Sequence, residues 1–202
     1  MDFRPQEIYK SKIDGSQIER LTEFSGFDAF PVYLPQKDRL YFSRWKDNQV
    51  TLFAKSLKRN LAPWKVMKTK GHDLGLQVSA QKDRFAWYRF SPDFKSSQVL
   101  ISTLDFKNPT YVTLDSGVNW SPAWHPNGKS IIYSAKSSGG RDFNLFEVSP
   151  DGECKRQITS DQGDEFFPTI SPDGKTLLYT STRSGHEEIY KMKYPGPLSC
   201  RQ

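Results

Sequence analysis

Residues 167–180 read FPTISPDGKTLLYT: a short apolar run, a polar turn and a second apolar run. Residues 121–134 read SPAWHPNGKSIIYS and align with them without a gap. In each segment a proline fixes φ and a glycine two positions later accepts a positive φ, as a tight β-turn between two strands requires. We therefore predict strand–turn–strand units with these turn residues: Pro126, Gly128, Pro172, Asp173 and Gly174.

Two more divergent copies of the same segment lie earlier in the chain, at residues 30–43 and 77–88. The first turn position recurs at spacings of 45, 46 and 46 residues, in Pro35, Ala80, Pro126 and Pro172. A period in the forties with strand-like content alone is typical of β-propeller blades. One such unit cannot bury both faces of its small sheet, whereas blades stacked around an axis can.

The fold class we predict is an all-β propeller of four-stranded antiparallel blades, in a single domain of residues 1–202. At about 46 residues per blade, the chain holds about four and a half blades. The predicted repeat units are 7–29 (a half unit), 30–75, 76–118, 119–164 and 165–202 (incomplete). Closure with five blades and a fragment of a six-bladed ring both stay open, and we expect further sequence to belong to the protein.

The motifs resemble a known family. Residues 171–175, SPDGK, and residues 188–190, EIY, closely resemble the TolB-type propeller repeat, a WD-repeat-like unit. Residues 122–129, PAWHPNGK, are similar. The resemblance covers roughly residues 7–194 and is most specific in residues 119–194. It implies a ring of six or seven blades, as most relatives have.

The resemblance also carries functional expectations. The namesake of the family is a periplasmic protein that works with a peptidoglycan-associated lipoprotein, and the same repeat occurs in propellers of prolyl-oligopeptidase-type peptidases. It implies a non-catalytic binding or scaffold module that engages a protein partner, or a small polar ligand or cation, at the mouth of the channel. A periplasmic or extracytoplasmic location follows by the same resemblance. Residues 1–7 contain no signal-peptide-like apolar stretch, so a cytoplasmic location stays open.

The sequence contains no catalytic motif that we recognise. It has no G-x-S-x-G elbow, H-E-x-x-H, P-loop or G-x-G-x-x-G. The three histidines, His72, His125 and His186, occupy different repeat positions and predict structural roles. We therefore predict that the chain is not an enzyme. The alternative is an accessory propeller of a peptidase or hydrolase whose catalytic domain lies outside this chain.

One set of polar residues recurs in register before the first strand of each unit. A glycine there is followed two positions later by a carboxylate or amide, namely Asp28, Asp73, Asn119 and Glu165. First strands line the channel of a propeller, so we expect these side chains, with Asp164, to form a ligand site at the channel mouth. Their oxygens suit a hard cation such as Ca²⁺, which takes 6–8 oxygen ligands. A turn residue that feeds the strand is the other interpretation.

Charge and composition narrow the partner classes. The net charge is +6 and the sequence pI is about 9.2, but the basic residues are scattered, which predicts no specific nucleic-acid binding. No apolar run approaches the length of about 18 residues that a membrane span needs. The cysteines, Cys154 and Cys200, lie far apart without a C-x-x-C motif and indicate neither a disulfide framework nor a zinc site.

Aromatic residues are frequent in the predicted strands. Those in the second strands predict an inter-blade core, and they are Tyr41, Trp87, Tyr133 and Tyr179. Trp120 and Trp124 flank a first strand, and we consider them candidates for contact with a partner.

Overall fold

Regular structure in this chain is almost entirely β, as predicted. The computed structural model describes residues 5–59, 61–136 and 139–199. Within them the chain forms β-strands and one 3₁₀ turn, Pro35–Lys37. No helix in that part of the chain has the length and apolar character that crossing a membrane requires.

The first of two compact units, Met1–Leu76, contains a two-stranded and a four-stranded antiparallel sheet. Its strands are β1 (Tyr9–Lys10), β2 (Glu19–Arg20), β3 (Asp28–Leu34), β4 (Arg39–Lys46), β5 (Gln49–Lys55) and β6 (Trp64–Lys65). Strand β1 pairs with β2. Strands β3 to β6 pair with one another in chain order and form the four-stranded sheet, which we call sheet I. Phe42 and Phe53 of sheet I share a core with Ile8.

The second unit, Gln77–Gln202, repeats this antiparallel order. Strand β7 (His72–Val78) crosses the boundary between the units. The next strands are β8 (Arg84–Phe90), β9 (Ser97–Thr103) and β10 (Thr110–Tyr111), which we call sheet II, and β11 (Val118–Trp124), β12 (Ile131–Lys136), β13 (Asn144–Val148) and β14 (Lys155–Gln157), which we call sheet III. Sheets II and III are continuous, because β11 pairs in parallel with β9 at Val118 and Ser97. Strands β15 (Glu165–Ile170), β16 (Thr176–Ser181) and β17 (Glu188–Lys193) form sheet IV. Sheets I and III thus have the four antiparallel strands expected of a blade.

A pair of aromatic rings joins the second and third strands in three of these sheets. The ring centroids lie 6.2 Å apart for Phe42 and Phe53, 6.1 Å for Tyr133 and Phe146, and 6.1 Å for Tyr179 and Tyr190. The recurring position in sheet I is therefore Phe42 and not Tyr41. Tyr41 is also buried, but neighbouring residues of a strand point to opposite faces.

Every first strand has a residue with a left-handed backbone at the same repeat position. The φ values are +55° at Phe30, +65° at Gly75, +50° at Ser121 and +49° at Phe167. In β3, β11 and β15 the pairing register shifts across this residue, as a β-bulge requires. For each of the three residues other than glycine, the left-handed conformation costs about 1–2 kcal/mol of conformational energy. The bulge bends the strand and re-aims the side chain it carries.

The predicted turns also make contacts between neighbouring sheets of the second unit. Gly174 has a φ of +71°, and a Cβ placed on it would lie 3.2 Å from the ring of His125 in sheet III. In the same way, the Gly128 carbonyl accepts a hydrogen bond from Arg84 at 2.7 Å, and the Pro126 carbonyl accepts one from Gln81 at 2.8 Å. Each turn is thus packed against the sheet that precedes it.

Cys154 departs from the expectation drawn from the sequence, because it is disulfide-bonded. Distance along the chain says little about which residues a β-fold brings together, and the absence of a C-x-x-C motif therefore did not exclude a bond. The other cysteine of the sequence, Cys200, lies outside the described residues.

The Gly174 contact predicts a specific loss of stability. We expect Gly174→Ala to lower the free energy of unfolding by about 1–2 kcal/mol through its backbone alone, and by more through the His125 contact. Gly185→Ala is the matched control, since its φ is +92° but a Cβ there meets no atom within 4 Å. Urea unfolding of both variants measures the difference, and equal losses would contradict the contact.

Candidate functional site

The four polar residues in register are buried at or near the start of their first strands. Their exposed fractions are 1% for Asp28, 0% for Asp73, 1% for Asn119 and 0% for Glu165. A charge or amide that is removed from water needs partners in the protein. The first two residues belong to the first unit and the last two to the second, so each environment is considered by itself.

Asp28 is held by an arginine on the neighbouring strand. Arg44 Nε donates to Asp28 Oδ1 at 2.7 Å, and Arg44 Nη2 donates to Oδ2 at 2.6 Å. The guanidinium carbon also lies 4.3 Å from the ring centroid of Phe24 and about 5 Å from those of Phe42 and Phe53. Both carboxylate oxygens of Asp28 are therefore engaged by a cation that three aromatic rings surround.

Glu165 has a similar partner from a different place in its sheet. Arg183, in the loop after β16, donates from Nη2 to Glu165 Oε1 at 2.6 Å and pairs through Nη1 with Asp161 Oδ2 at 2.8 Å. Its guanidinium lies over the ring of Tyr190, 4.6 Å from the centroid, and donates to the Tyr179 hydroxyl. Burial raises the pKa of the Glu165 carboxyl above its usual value, and the charge of Arg183 offsets this only in part.

Asn119 takes part in a hydrogen-bond network at the start of β11. Its Nδ2 donates to Asp115 Oδ1 at 2.6 Å and to the Ser97 carbonyl at 3.2 Å. Its Oδ1 is buried and has no hydrogen-bond partner within the described part of the chain. Burial alone would raise the pKa of Asp115, but hydrogen bonds from Asn119 and the Gly117 N–H, with the charge of Lys155, hold it below its usual value.

A cation over an aromatic pair is thus common to three sheets. In sheet III it is Lys155, whose Nζ lies 4.8 Å from the Phe146 centroid and 3.3 Å from Asp115 Oδ2. Arg44, Arg183 and Lys155 were not predicted from the sequence. Of the three, only Arg44 could have been found from the sequence, because it lies two residues after Phe42 and its side chain is therefore on the same face of β4.

The structure gives the predicted ligand residues individual partners. Asp164 accepts a hydrogen bond from the Phe143 N–H at 2.9 Å, and its own N–H donates to Thr182. Among the residues that are described, no group of three or more His, Cys, Asp or Glu side chains is placed to hold a metal ion. The channel-mouth calcium site stays a prediction.

The histidines have structural environments. His72 stacks on Trp45 with centroids 5.9 Å apart, and its Nδ1 accepts from the Val50 N–H. His125 is buried and packs against the ring of Tyr194 at 4.8 Å. His186 lies in the exposed loop before β17.

A cluster of aromatic rings surrounds the bulge of β15, and we call it the bulge cluster. Trp120 is at its centre, with ring centroids 5.2 Å from Phe166, 5.7 Å from Phe143 and 5.7 Å from Phe167. Phe167 is 54% exposed. Trp120, a candidate from the sequence for contact with a partner, thus packs against the exposed ring of Phe167. The other candidate, Trp124, is buried, and the guanidinium of Arg84 lies over its ring.

A cavity of about 300 Å³ opens beside sheet III. Polar groups of Asp142, Asp161, Gln157 and Asn144 line it. Asn144 Oδ1 is buried and without a hydrogen-bond partner in the part of the chain that is described. This cavity was not predicted from the sequence, since its lining comes from three strands and two loops.

Comparison with protein families matches residues 63–199 to the TolB beta propeller domain. Comparison with curated proteins found no match. Similar solved structures include a putative TolB from Agrobacterium tumefaciens, with 19% identity and a TM-score of 0.74 over 88% of this chain and 62% of that one. TolB from Acinetobacter baumannii has 14% identity and a TM-score of 0.77 over 95% and 47%.

An oligogalacturonate lyase in complex with manganese is also similar, with 16% identity and a TM-score of 0.68 over 93% of this chain and 56% of the lyase. At these identities the likeness shows the fold alone. The chain spans less than two thirds of the length of each of the three structures.

The Glu165–Arg183 pair predicts a large loss of stability on removal of its cation. We expect Arg183→Met to lower the free energy of unfolding by about 3 kcal/mol at neutral pH, because it leaves a buried carboxylate without its charged partner. Adding Glu165→Gln removes the charge and should recover most of the loss. Urea unfolding of both variants checks this, and no recovery in the double variant would contradict it.

The pH dependence gives an independent check. Because the folded chain raises the Glu165 pKa, the contribution of this group is fully present below the ordinary value of 4.5 and is lost as the pH rises through the raised value. The gap between wild type and Arg183→Met should therefore be smaller below pH 4.5 than at neutral pH. A gap that does not change with pH would contradict the assignment to Glu165.

Proposed function

Because this chain belongs to the TolB β-propeller family, we propose that it is a non-catalytic binding module that engages a protein partner through the bulge cluster. The observation that carries the proposal is the exposure of the Phe167 side chain at the bulge of β15. More than half of this large apolar side chain is exposed, and its backbone is left-handed at a φ of +49°. The bulge of β15 re-aims the side chain that it carries and so presents this ring to solvent.

The surroundings of Phe167 support a role in recognition. Contact residues that dominate binding energy are often aromatic and lie among packed apolar neighbours that exclude water. Trp120 and Phe166 provide such neighbours. In the first unit, Phe30 occupies the same repeat position with a φ of +55° and is 38% exposed. The repeat therefore presents a phenylalanine at the bulge in both units.

We also propose a periplasmic location, as the family resemblance implies. The disulfide bond of Cys154 supports it, because disulfides persist in oxidising compartments such as the bacterial periplasm.

A photocrosslinking experiment tests the binding role. With p-benzoylphenylalanine in place of Phe167, we expect one defined protein to be crosslinked in the native host. The same group in place of Leu114, which is 84% exposed in the loop after β10, is the matched control and should not capture that protein. With the partner purified, Phe167→Ala should weaken binding by about 2 kcal/mol. Equal capture from both positions, or none, would count against the proposal.

A second candidate is a cation at the predicted ligand residues, and the unpartnered Oδ1 of Asn119 favours it. A buried amide oxygen without a donor is a suitable ligand for Ca²⁺. In this proposal Asn119, Asp164 and Glu165, which all belong to the second unit, supply oxygen atoms.

Calorimetric titration with Ca²⁺ tests this second candidate. We expect a binding heat that Asn119→Ala abolishes and that Asp14→Asn, a change in an exposed turn, leaves unaltered. If wild type and Asn119→Ala both fail to bind at millimolar Ca²⁺, this candidate is excluded.

A further inference from the structure

Residues 55–70, KSLKRNLAPWKVMKTK, depart from the scattered distribution of charge in the rest of the chain. They contain six basic residues and no acidic one. The net charge of the whole chain is +6, so the remaining residues include equal numbers of basic and acidic side chains. The entire net charge therefore corresponds to this one segment, which contains β6 and the loop before it.

The Asp38 carboxylate attaches this loop to the turn between β3 and β4. It accepts hydrogen bonds from the Ser56 hydroxyl and from the N–H groups of Leu57 and Lys58, the latter two at 3.2 Å. These hydrogen bonds, above all the one from Ser56, hold the pKa of Asp38 below its usual value. The start of the loop is therefore fixed to the turn by a carboxylate whose oxygens the loop itself occupies.

Trp64, the first residue of β6, lies against the same turn. The guanidinium carbon of Arg39 is 5.0 Å from the centroid of the Trp64 ring. Arg39 Nη1 donates to the carbonyls of Lys37 and Asp38 at 3.1 and 3.0 Å. The turn and the loop thus form one surface. We call it the basic face, and it consists of the basic residues Lys37, Arg39, Lys58 and Arg59 and the apolar residues Leu61 and Trp64.

The basic face is open to solvent and includes large apolar side chains. Leu61 is 53% exposed and Trp64 is 37% exposed. Lys58 and Arg59 are exposed as well. In the corresponding loop of sheet II, Lys107 Nζ lies 3.5 Å from Asp105 Oδ2, whereas the loop of sheet I contains no acidic residue that could balance its cations. The basic face therefore presents unbalanced positive charge beside exposed apolar groups.

The exposure of β6 follows from its place as the fourth strand of its sheet. The fourth strand of sheet III, β14, is also mostly exposed, although both faces of sheet III are covered. Tyr133 of sheet III shares a core with Val99 of sheet II. Leu145 of sheet III shares another with Leu177 of sheet IV. A neighbour on either face of a sheet thus leaves its fourth strand open to solvent.

We propose that the basic face binds the surface of an anionic phospholipid bilayer. Lysine and arginine close to such a surface are attracted by its negative potential. Tryptophan is enriched at the boundary between water and membrane, and leucine enters the region between headgroups and acyl chains. The basic face combines these features, because Leu61 and Trp64 lie between Arg59 and Lys65 in the chain. The chain lies on the bilayer in this proposal and does not span it.

A nucleic acid fits the basic face less well than a bilayer does. Single strands are bound by stacking bases on aromatic faces, and Arg39 already covers one face of Trp64. Duplexes are held mainly through phosphate contacts, in which an exposed leucine such as Leu61 takes no part. The inference goes beyond the function proposed above, since the basic face belongs to the first unit and the bulge cluster to the second.

Co-sedimentation of the full chain with lipid vesicles tests the proposal. We expect binding to vesicles of phosphatidylcholine with about 30% phosphatidylglycerol, and binding at least about tenfold weaker to phosphatidylcholine alone. Added sodium chloride should weaken the binding, because salt screens exposed charges. Equal binding to both kinds of vesicle, or binding to neither, overturns the proposal.

Charge reversal locates the binding surface. Lys58→Glu combined with Arg59→Glu should weaken binding to the anionic vesicles by about tenfold or more. The matched control combines Lys46→Glu with Lys95→Glu, which changes the net charge equally at exposed sites between second and third strands. It should have a much smaller effect. All four residues are exposed, so both variants should fold, which circular dichroism checks. Equal losses in the two variants would contradict a defined surface.

A second pair of variants tests the apolar contact. Leu61→Ser should weaken binding to the anionic vesicles by about threefold, because the leucine no longer leaves water on binding. Leu114→Ser is the matched control at a leucine that is 84% exposed and should leave the affinity unchanged. If Leu61→Ser has no effect, or if a DNA duplex binds more tightly than the vesicles, the basic face is an electrostatic site for polyanions and the proposal is overturned.

Discussion

A carboxylate buried at the start of a strand is the constraint around which this chain is arranged. Asp28 and Glu165 are closed to solvent, so each requires a cation that is itself held in place. Arg44 supplies it in one sheet and Arg183 in the other, and in both the guanidinium rests on rings from the second and third strands. One polar contact therefore joins the first three strands of its sheet.

The strand–turn–strand order could be predicted because its signals are local. Pro172 and Gly174 indicate a tight turn within a few residues of sequence. The partners of the buried carboxylates could not be predicted, because Arg183 contacts Glu165 from a loop on another part of the sheet and sequence spacing does not encode that contact. The left-handed backbone of Phe167 was missed for a similar reason: only a glycine at the same position of another repeat hints at it. The candidate ligand residues recur in register near the start of their first strands, but their local partners were not predicted.

The surface proposed for partner binding arises from the bulge of the repeat. At the bulge of β15 the backbone turns an apolar ring outward, at a cost in conformational energy. Trp120 and Phe166 pack against this ring and hold it in place. Such a surface selects a partner by shape and by aromatic contact.

The packing of each turn against the preceding sheet limits how such a chain can grow. His125 tolerates a neighbour whose turn carries glycine, as Gly174 does and as Gly128 would. In residues 76–118 the same position is Lys82, with a φ of +56° and a long side chain. A gene duplication that copied residues 119–164 in tandem would present a glycine to His125, whereas one that placed residues 76–118 after them would present a lysine. A unit placed beside His125 therefore needs a glycine at this turn position, and the glycine-containing units are the ones that meet this requirement.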